Sequence, residues 1–178
     1  MESTSDSPRR PPKLHADQCN PSQLQQKPQY DVIDLDPYGS AAPFIDAAVQ
    51  SIVNGGLLAI TCTDMAALGG SHPETCYGRY GSFPIQRSGY LQELALRILL
   101  YHVSIVAGRY GRTIKPILSV GMAFYCRVFI EVYDDKAGVS VMLFYDTLDK
   151  EIVYSHTILI LSSGEQSIIE PWTFVSIC

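Results

Sequence analysis

The stretch that decides the fold runs from residue 30 to residue 40 and reads YDVIDLDPYGS. An apolar run ends here in Asp36, Pro37 and Tyr38, and a helical pattern follows. A strand of an open parallel sheet delivers its last residues to the carboxyl edge, where ligands bind. Proline fixes φ and removes a backbone donor, and Gly39 lets the backbone pass close to a ligand. The stretch predicts a site for a planar amine; the alternative is a plain strand and turn in which Asp36 caps the next helix.

Size and composition indicate one globular domain. The chain has 178 residues, of which 47% are hydrophobic and 17% are charged, enough to bury a sizeable core. No apolar run reaches the roughly 18 residues of a membrane span, and the first residues lack a secretory layout. Five cysteines stand singly, without the paired spacing of a zinc site. We therefore expect no membrane contact, no metal and a reducing intracellular compartment.

Charge is distributed unevenly along the chain. Residues 28–64 hold five acids and no Lys or Arg, whereas residues 76–127 hold seven bases and one acid. The basic half is where a phosphate backbone would bind; the alternative is that these bases lie on ordinary solvated faces. The predicted RNA contacts are Arg79, Tyr80, Arg87, Arg112 and Lys115.

The pattern of apolar residues predicts the elements. Residues 1–29 are rich in Pro, Ser and Gln and should be disordered. A short buried strand at Val32–Leu35 leads into an amphipathic helix over Ala41–Val53, which the glycines of residues 54–56 should end. A second buried strand follows at Leu57–Cys62, so the unit is a crossover between parallel strands.

The second part of the chain alternates a loop, a helix and two strands. Residues 64–88 form a long Gly- and Pro-rich loop region with short helical segments. Ser88 is the predicted cap of a helix that runs to Arg109. Two strands, Lys115–Val120 and Phe124–Tyr133, then close the far edge. The predicted class is α/β, the second half of a doubly wound sheet.

Five blocks of sequence, in order and at similar spacing, resemble one family. The chain resembles the tRNA guanine-N2 dimethyltransferases, which modify the guanine between the D and anticodon stems, over about residues 30–138. The blocks lie at residues 31–40, 55–66, 76–81, 93–98 and 124–129. The resemblance implies the C-terminal half of a Rossmann-like class I methyltransferase sheet. It also implies tRNA as substrate and S-adenosyl-L-methionine as cofactor.

The resemblance assigns roles to the strand end. Asp36, with the carbonyl of Pro37, would accept the N–H bonds of the guanine amine, and Tyr38 would stack on the base. Asp34 and Asp36 would also contact the cofactor; for Asp34 a supporting position at the sheet edge is an equal alternative. At the end of the neighbouring strand, Asp64 would contact the base, orient Asp36 or simply form a turn.

The chain also departs from the family. Its first 29 residues lack the strand and Gly-rich turn that hold the cofactor, and residues 139–178 form a divergent tail that could be a β-hairpin. We therefore expect an exposed strand edge at Val32–Leu35, low stability and impaired activity. Two alternatives stay open, an inactive fragment that binds RNA or a partner and another Asp-Pro-Tyr amino-methyltransferase. The expected compartment is the nucleus, with mitochondrion and cytoplasm as alternatives.

Overall fold

The structure is a computed structural model that describes residues 29–87, 89–122 and 124–140 and the backbone of 157–162 and 165–169. The predicted disorder of the first residues lies outside this part, as do residues 141–156 of the predicted tail. The strands are β1 Tyr30–Leu35, β2 Ile52–Cys62, β3 Arg112–Met122, β4 Cys126–Asp134, β5 Thr157–Ser162 and β6 Glu165–Ile169. The helices are α1 Ala42–Ser51, α2 Met65–Leu68, α3 Pro73–Tyr80 and α4 Leu91–Arg109.

The six strands form one mixed sheet in the order β1-β2-β4-β3-β5-β6. β1 and β2 are parallel, as the crossover through α1 requires, and β4 is antiparallel to both β2 and β3. β5 adds to β3 in parallel and turns back into β6. The predicted α/β class and the predicted pair of strands, β3 and β4, are confirmed. The pair does not close the far edge as predicted, because β5 and β6 extend the sheet beyond β3.

One face of the sheet carries the hydrophobic core. Alternate residues of β2 and β4, such as Leu58, Ile60 and Val128, are fully buried and point to this face. α1 and α4 pack against each other, α1 against β1 and β2 and α4 against β3 and β4. α4 is long and apolar enough to cross a membrane by length and composition alone. Its buried residues, among them Leu96, Leu99 and Val103, belong to this core, which accounts for its apolar composition.

The first strand differs from its prediction. We expected a buried strand, but β1 is the first strand of the sheet and Val32 is 60% exposed. Within the described residues nothing pairs with its outer edge. Within the described residues the apolar run is therefore an edge strand, which agrees with the expected exposed edge at Val32–Leu35.

The glycines after α1 also act differently from the prediction. The helix ends at Ser51 and β2 begins at Ile52, so residues 54–56 lie inside a strand. The register with β1 shifts here, because Tyr30 pairs with Ile52 but Val32 pairs with Leu57. Gly55 has φ +78°, which a side chain rarely adopts. The glycines bend a strand rather than end a helix.

The region predicted as a loop contains two short helices, α2 and α3. α4 then begins at Leu91, and its first flanking residue is Tyr90, not the predicted cap Ser88. No side chain of the described residues caps α4 by a hydrogen bond. Within the predicted tail, β5 and β6 pair as antiparallel neighbours.

Candidate active site at the carboxyl ends of β1 and β2

The loop that follows β1 presents Asp36 and Tyr38 to solvent. Asp36 is exposed and Tyr38 is fully exposed. Within the described part of the chain, neither side chain has a hydrogen-bond or ionic partner. Asp36 does not cap α1, because the flanking residue of that helix is Ala41 and the Ala42 amide donates to Ser40 Oγ at 3.2 Å. The alternative role of Asp36 as a helix cap is therefore wrong.

Hydrogen bonds join the loop after β1 to Thr63, the residue that follows β2. The Gly39 amide donates to Thr63 Oγ1 at 2.8 Å, and the Thr63 amide donates to the Gly39 carbonyl at 2.8 Å. Gly39 has φ +84°, so the turn uses a conformation that favours glycine. These bonds place the loop after β1 beside Thr63 and Asp64, as the parallel pairing of β1 and β2 predicted.

A buried polar network continues from this tie. Tyr80 is 1% exposed, and its hydroxyl lies 2.6 Å from Ser40 Oγ and 2.8 Å from Asp64 Oδ1. Asp64 also accepts from Arg79 Nη1 at 2.9 Å. Burial, with the nearby Cys62 and Asp64, raises the pKa of Tyr80, so its hydroxyl stays protonated. The network contains no ionised tyrosine.

Two predicted RNA contacts need correction. Tyr80 is inside the protein and cannot stack on a base. Arg112 is 7% exposed; its guanidinium donates to Asp134 Oδ1 at 2.7 Å and to the carbonyls of Val49 and Ile52. These carbonyls lie at the end of α1, so Arg112 caps that helix from another strand. Because the side chains of Tyr80 and Arg112 are buried, they support the fold and are not available to RNA.

Three predicted RNA contacts stay at the surface. Arg79 is partly exposed while it pairs with Asp64. Arg87 is exposed, has φ +56° and has no partner among the described residues. Lys115 is exposed and lies 3.4 Å from Glu131. Arg79 belongs to the polar network at the site. Lys115 lies on β3 and pairs with Glu131, five residues along β4 from Cys126 at the site end of the sheet.

Asp34 lies on the face of the sheet that the helices leave open. Its two carboxylate oxygens accept from Arg127 Nη2 at 2.9 and 2.8 Å. Arg127 also donates to Thr61 Oγ1 at 2.5 Å. The ion pair therefore spans β1, β2 and β4. In this arrangement Asp34 fastens the edge strand, the supporting position that the sequence left as an alternative to cofactor contact.

The cysteines near the site are packed thiols. Cys62, Cys76 and Cys126 are free and fully buried, and Cys62 faces Cys126 across β2 and β4. Burial and the negative charge of Asp64 raise the pKa of Cys76 to about 11. A thiol with that pKa is protonated near neutral pH and is a poor nucleophile.

Sequence reasoning missed the role of Tyr80 as an internal hydrogen-bond donor. The signal was its spacing from Cys76, since residues four apart on a helix share a face. α3 buries both Cys76 and Tyr80 and exposes Tyr77 and Arg79 between them. Gly81, with φ +70°, ends the helix directly after Tyr80.

Comparison with known proteins finds relatives that share one name. A tRNA (guanine(26)-N(2))-dimethyltransferase of Mus musculus is 52% identical over 118 residues, which are 66% of this chain and 18% of the relative. The enzyme of the same name from Schizosaccharomyces pombe is 57% identical over 104 residues, 58% of this chain and 19% of the relative. The chain thus spans about a fifth of the length of these relatives.

A solved structure shares the fold. It is described as a complex of Trm1 from Pyrococcus horikoshii with S-adenosyl-L-methionine, and it is 32% identical with a TM-score of 0.63. The similarity covers 68% of this chain and 33% of the other. This similarity confirms the methyltransferase sheet that the motifs predicted.

The family itself is shown by a sequence model that matches most of the chain. The match covers residues 13–145, a wider range than the 30–138 that the motifs indicated. Residues 139–145, which we had placed in a divergent tail, therefore lie inside the match. The chain belongs to the N2,N2-dimethylguanosine tRNA methyltransferase family.

Proposed function

We propose that this chain carries the amine-binding edge of an enzyme that transfers methyl groups from S-adenosyl-L-methionine to the exocyclic N2 of a guanine in tRNA. The observation that carries this proposal is the contrast at the strand ends. Every other acid near the site is paired, whereas the carboxylate of Asp36 is exposed and has no partner within the described residues. A carboxylate held ready on a fixed loop suits a substrate amine.

The chemistry follows from the weakness of the nucleophile. The lone pair of the guanine amine is delocalised into the ring. Acceptors that hold the two N–H bonds turn the nitrogen toward a tetrahedral geometry and direct the lone pair at the methyl donor. The carboxylate of Asp36 and the carbonyl of Pro37 are these acceptors. Because positive charge develops on the nitrogen as it attacks, the negative charge of Asp36 stabilises the transition state.

Tyr38 would hold the base in place. Its ring is fully exposed directly after the two acceptors, so a base can stack on it. A guanine in folded RNA must leave its stack to reach the acceptors and the ring of Tyr38. Alignment of the amine between the acceptors and the ring contributes about 7 kcal/mol or more to the lowering of the barrier.

The described residues fit the acceptor side better than the cofactor side. Asp34, one of two predicted cofactor contacts, is already paired with Arg127. The sequence has no glycine before Gly39, so the Gly-rich turn that holds such a cofactor is not among residues 1–38. We therefore assign to these residues only the binding of the amine and the base. The cofactor supplies the methyl group.

tRNA contact is proposed for the exposed bases of the second half. Arg79 and Arg87 lie in the segment that follows the site, and Lys115 lies on β3. Their charge would bind the phosphate backbone independently of sequence. We place this activity inside the cell, in the nucleus; a Saccharomyces cerevisiae relative is named as mitochondrial, so that compartment and the cytoplasm are the alternatives.

The test is transfer of labelled methyl groups to unmodified tRNA. We expect impaired but measurable transfer by the protein and equal transfer by Asp31→Ala, which removes an exposed carboxylate near the start of β1. Asp36→Ala should abolish transfer. A tRNA with inosine in place of the target guanine lacks the amine and should accept no label.

Three outcomes would contradict the proposal. Equal transfer by Asp36→Ala would remove its acceptor, and label on the inosine substrate would indicate another acceptor atom. No transfer by the unchanged protein would contradict activity of this chain. In that case, cofactor-independent tRNA binding that survives Asp36→Ala would support the alternative of an RNA-binding fragment.

A further inference from the structure

The loop that carries Asp36 is held at its start by β1, where Leu35 pairs with Ile60, and at its end by hydrogen bonds. The Gly39 amide and carbonyl each form a hydrogen bond with Thr63. The hydroxyls of Ser40 and Tyr80 are hydrogen-bonded to each other. The three residues before Gly39 project beyond these ties. The position of the Asp36 carboxylate therefore depends on β1 and on two anchored residues at the end of the loop.

Proton counting fixes the direction of the hydrogen bonds. Asp64 can only accept when ionised, and both its oxygens lie within 3.0 Å of the Tyr80 hydroxyl. The alternative acceptor of that proton, Cys62 Sγ, is farther, at 3.6 Å. Tyr80 therefore donates to Asp64. Since its only proton is used, Ser40 must donate to the Tyr80 oxygen.

The result is a one-way series of donors that ends on a buried carboxylate. The Ala42 amide donates to Ser40, Ser40 donates to Tyr80, and Tyr80 donates to Asp64. Arg79 balances the charge of Asp64, whose side chain is 8% exposed. A series with one direction fixes a single rotamer of Ser40, and the low dielectric of a buried site strengthens each bond.

We propose that Tyr80 and Asp64 are positioning residues, which hold the loop after β1 so that Asp36 and the Pro37 carbonyl meet the substrate amine. The inference rests on the proposed function. It assigns to α3 and to the end of β2 a role in the geometry of the reaction, although neither Tyr80 nor Asp64 touches the substrate. A displacement of the acceptors by about 1 Å is enough to slow such a reaction about a hundredfold.

The decisive variant is Tyr80→Phe, which keeps the buried ring and removes the hydroxyl. Tyr77→Phe is the matched control, because it makes the same change on the same helix at an exposed position stacked on Phe83. With tRNA as substrate, we expect kcat of Tyr80→Phe to fall about ten- to a hundredfold. KM for tRNA should change little, since the phosphate contacts are intact.

Amide hydrogen exchange tests the same inference without turnover. In Tyr80→Phe, the amides of Gly39 and Ala42 should exchange faster, while amides in the middle of α4 keep their protection. Tyr77→Phe should leave both regions unchanged. Unchanged exchange at Gly39 and Ala42 in Tyr80→Phe would overturn the inference, as would an equal loss of protection in α4, which indicates general destabilisation.

The two proposals can fail separately. If Asp36→Ala retains activity but Tyr80→Phe loosens the loop, the proposed acceptor is wrong and the loop anchor stands. If Asp36→Ala is inactive while Tyr80→Phe has normal kcat and normal exchange, the acceptor stands and the positioning role is wrong.

Discussion

Two aspartates end neighbouring strands of this sheet and have opposite surroundings. Asp64, after β2, has a side chain that is 8% exposed and is bonded by Tyr80 and Arg79. Asp36, directly after β1, is exposed and has no partner in the described part of the molecule. The loops that carry them are joined by the pair of bonds between Gly39 and Thr63.

This difference indicates that the two aspartates at one edge of the sheet have different roles. A buried carboxylate costs several kcal/mol unless donors compensate it, so Asp64 holds its surroundings in one arrangement. An exposed carboxylate costs little and its oxygens are available to a substrate. The two strand ends therefore use the same functional group in two roles: Asp64 holds the loop, and Asp36 meets the substrate. Each group can be removed by the same substitution.

The largest expected effect comes from Asp36→Asn. The amide keeps the shape but loses the negative charge and adds a donor that opposes the substrate amine. Methyl transfer should fall about 10²–10³-fold, with no change in the midpoint of thermal unfolding. Labelled-methyl transfer and a melting curve measure the two quantities. A variant that melts earlier would show that Asp36 also supports the fold.

The same change at Asp64 should lower stability, in addition to displacing the loop that carries Asp36. Asp64→Asn leaves Arg79 without its charge partner and weakens the bond from Tyr80. We expect the free energy of unfolding to fall by about 2–3 kcal/mol, as measured by denaturant titration. Stability equal to that of the unchanged protein would mean that the network is replaceable, and the contrast between the two aspartates would fail.

The exposed Asp36 was easier to predict from the sequence than the buried Asp64 and its partners. Asp36 stood out because the Asp-Pro-Tyr stretch is part of the first of five sequence blocks that resemble one family. The neighbouring position of Asp64 followed from parallel pairing, but its partners did not. Tyr80 lies 16 residues away in sequence, in a segment predicted as a loop, and only the packing of α3 brings its hydroxyl to Asp64.

Arginines and glycines show the same limit. The sequence counts Arg112 as a free positive charge, yet its burial against the end of α1 depends on the adjacent positions of β3 and α1 in the fold. Gly55 was read as a helix stop because local patterns favour that role. The bulge in β2 requires knowledge of the register with β1. Tertiary pairing, which no local window contains, decides both.

A smaller effect, on tRNA binding, is expected from substitution of the exposed arginines. They extend the comparison to positive charges with and without a partner. Arg87 has no partner among the described residues, whereas Arg79 pairs with Asp64. Arg87→Ala should weaken tRNA binding and reduce the slope of log affinity against log salt by about 1. Binding measured at several salt concentrations tests this. Arg79→Ala, as the reference, should also lower stability.

The smallest effect is expected from substitution of His102. Its Nδ1 lies 3.3 Å from the carbonyl oxygen of Tyr80, the residue that donates to the buried Asp64. Burial, aided by Arg109, lowers the pKa of His102 below its ordinary 6.5. The unfolded chain therefore binds this proton more readily than the folded one, so the stability from neutral His102 is complete above pH 6.5 and is lost as pH falls toward the lowered pKa. His102→Gln should flatten this part of the stability curve. His72→Gln, which removes an exposed imidazole, is the control; an equal change in both variants would show that the buried side chain has no special share in the acid response.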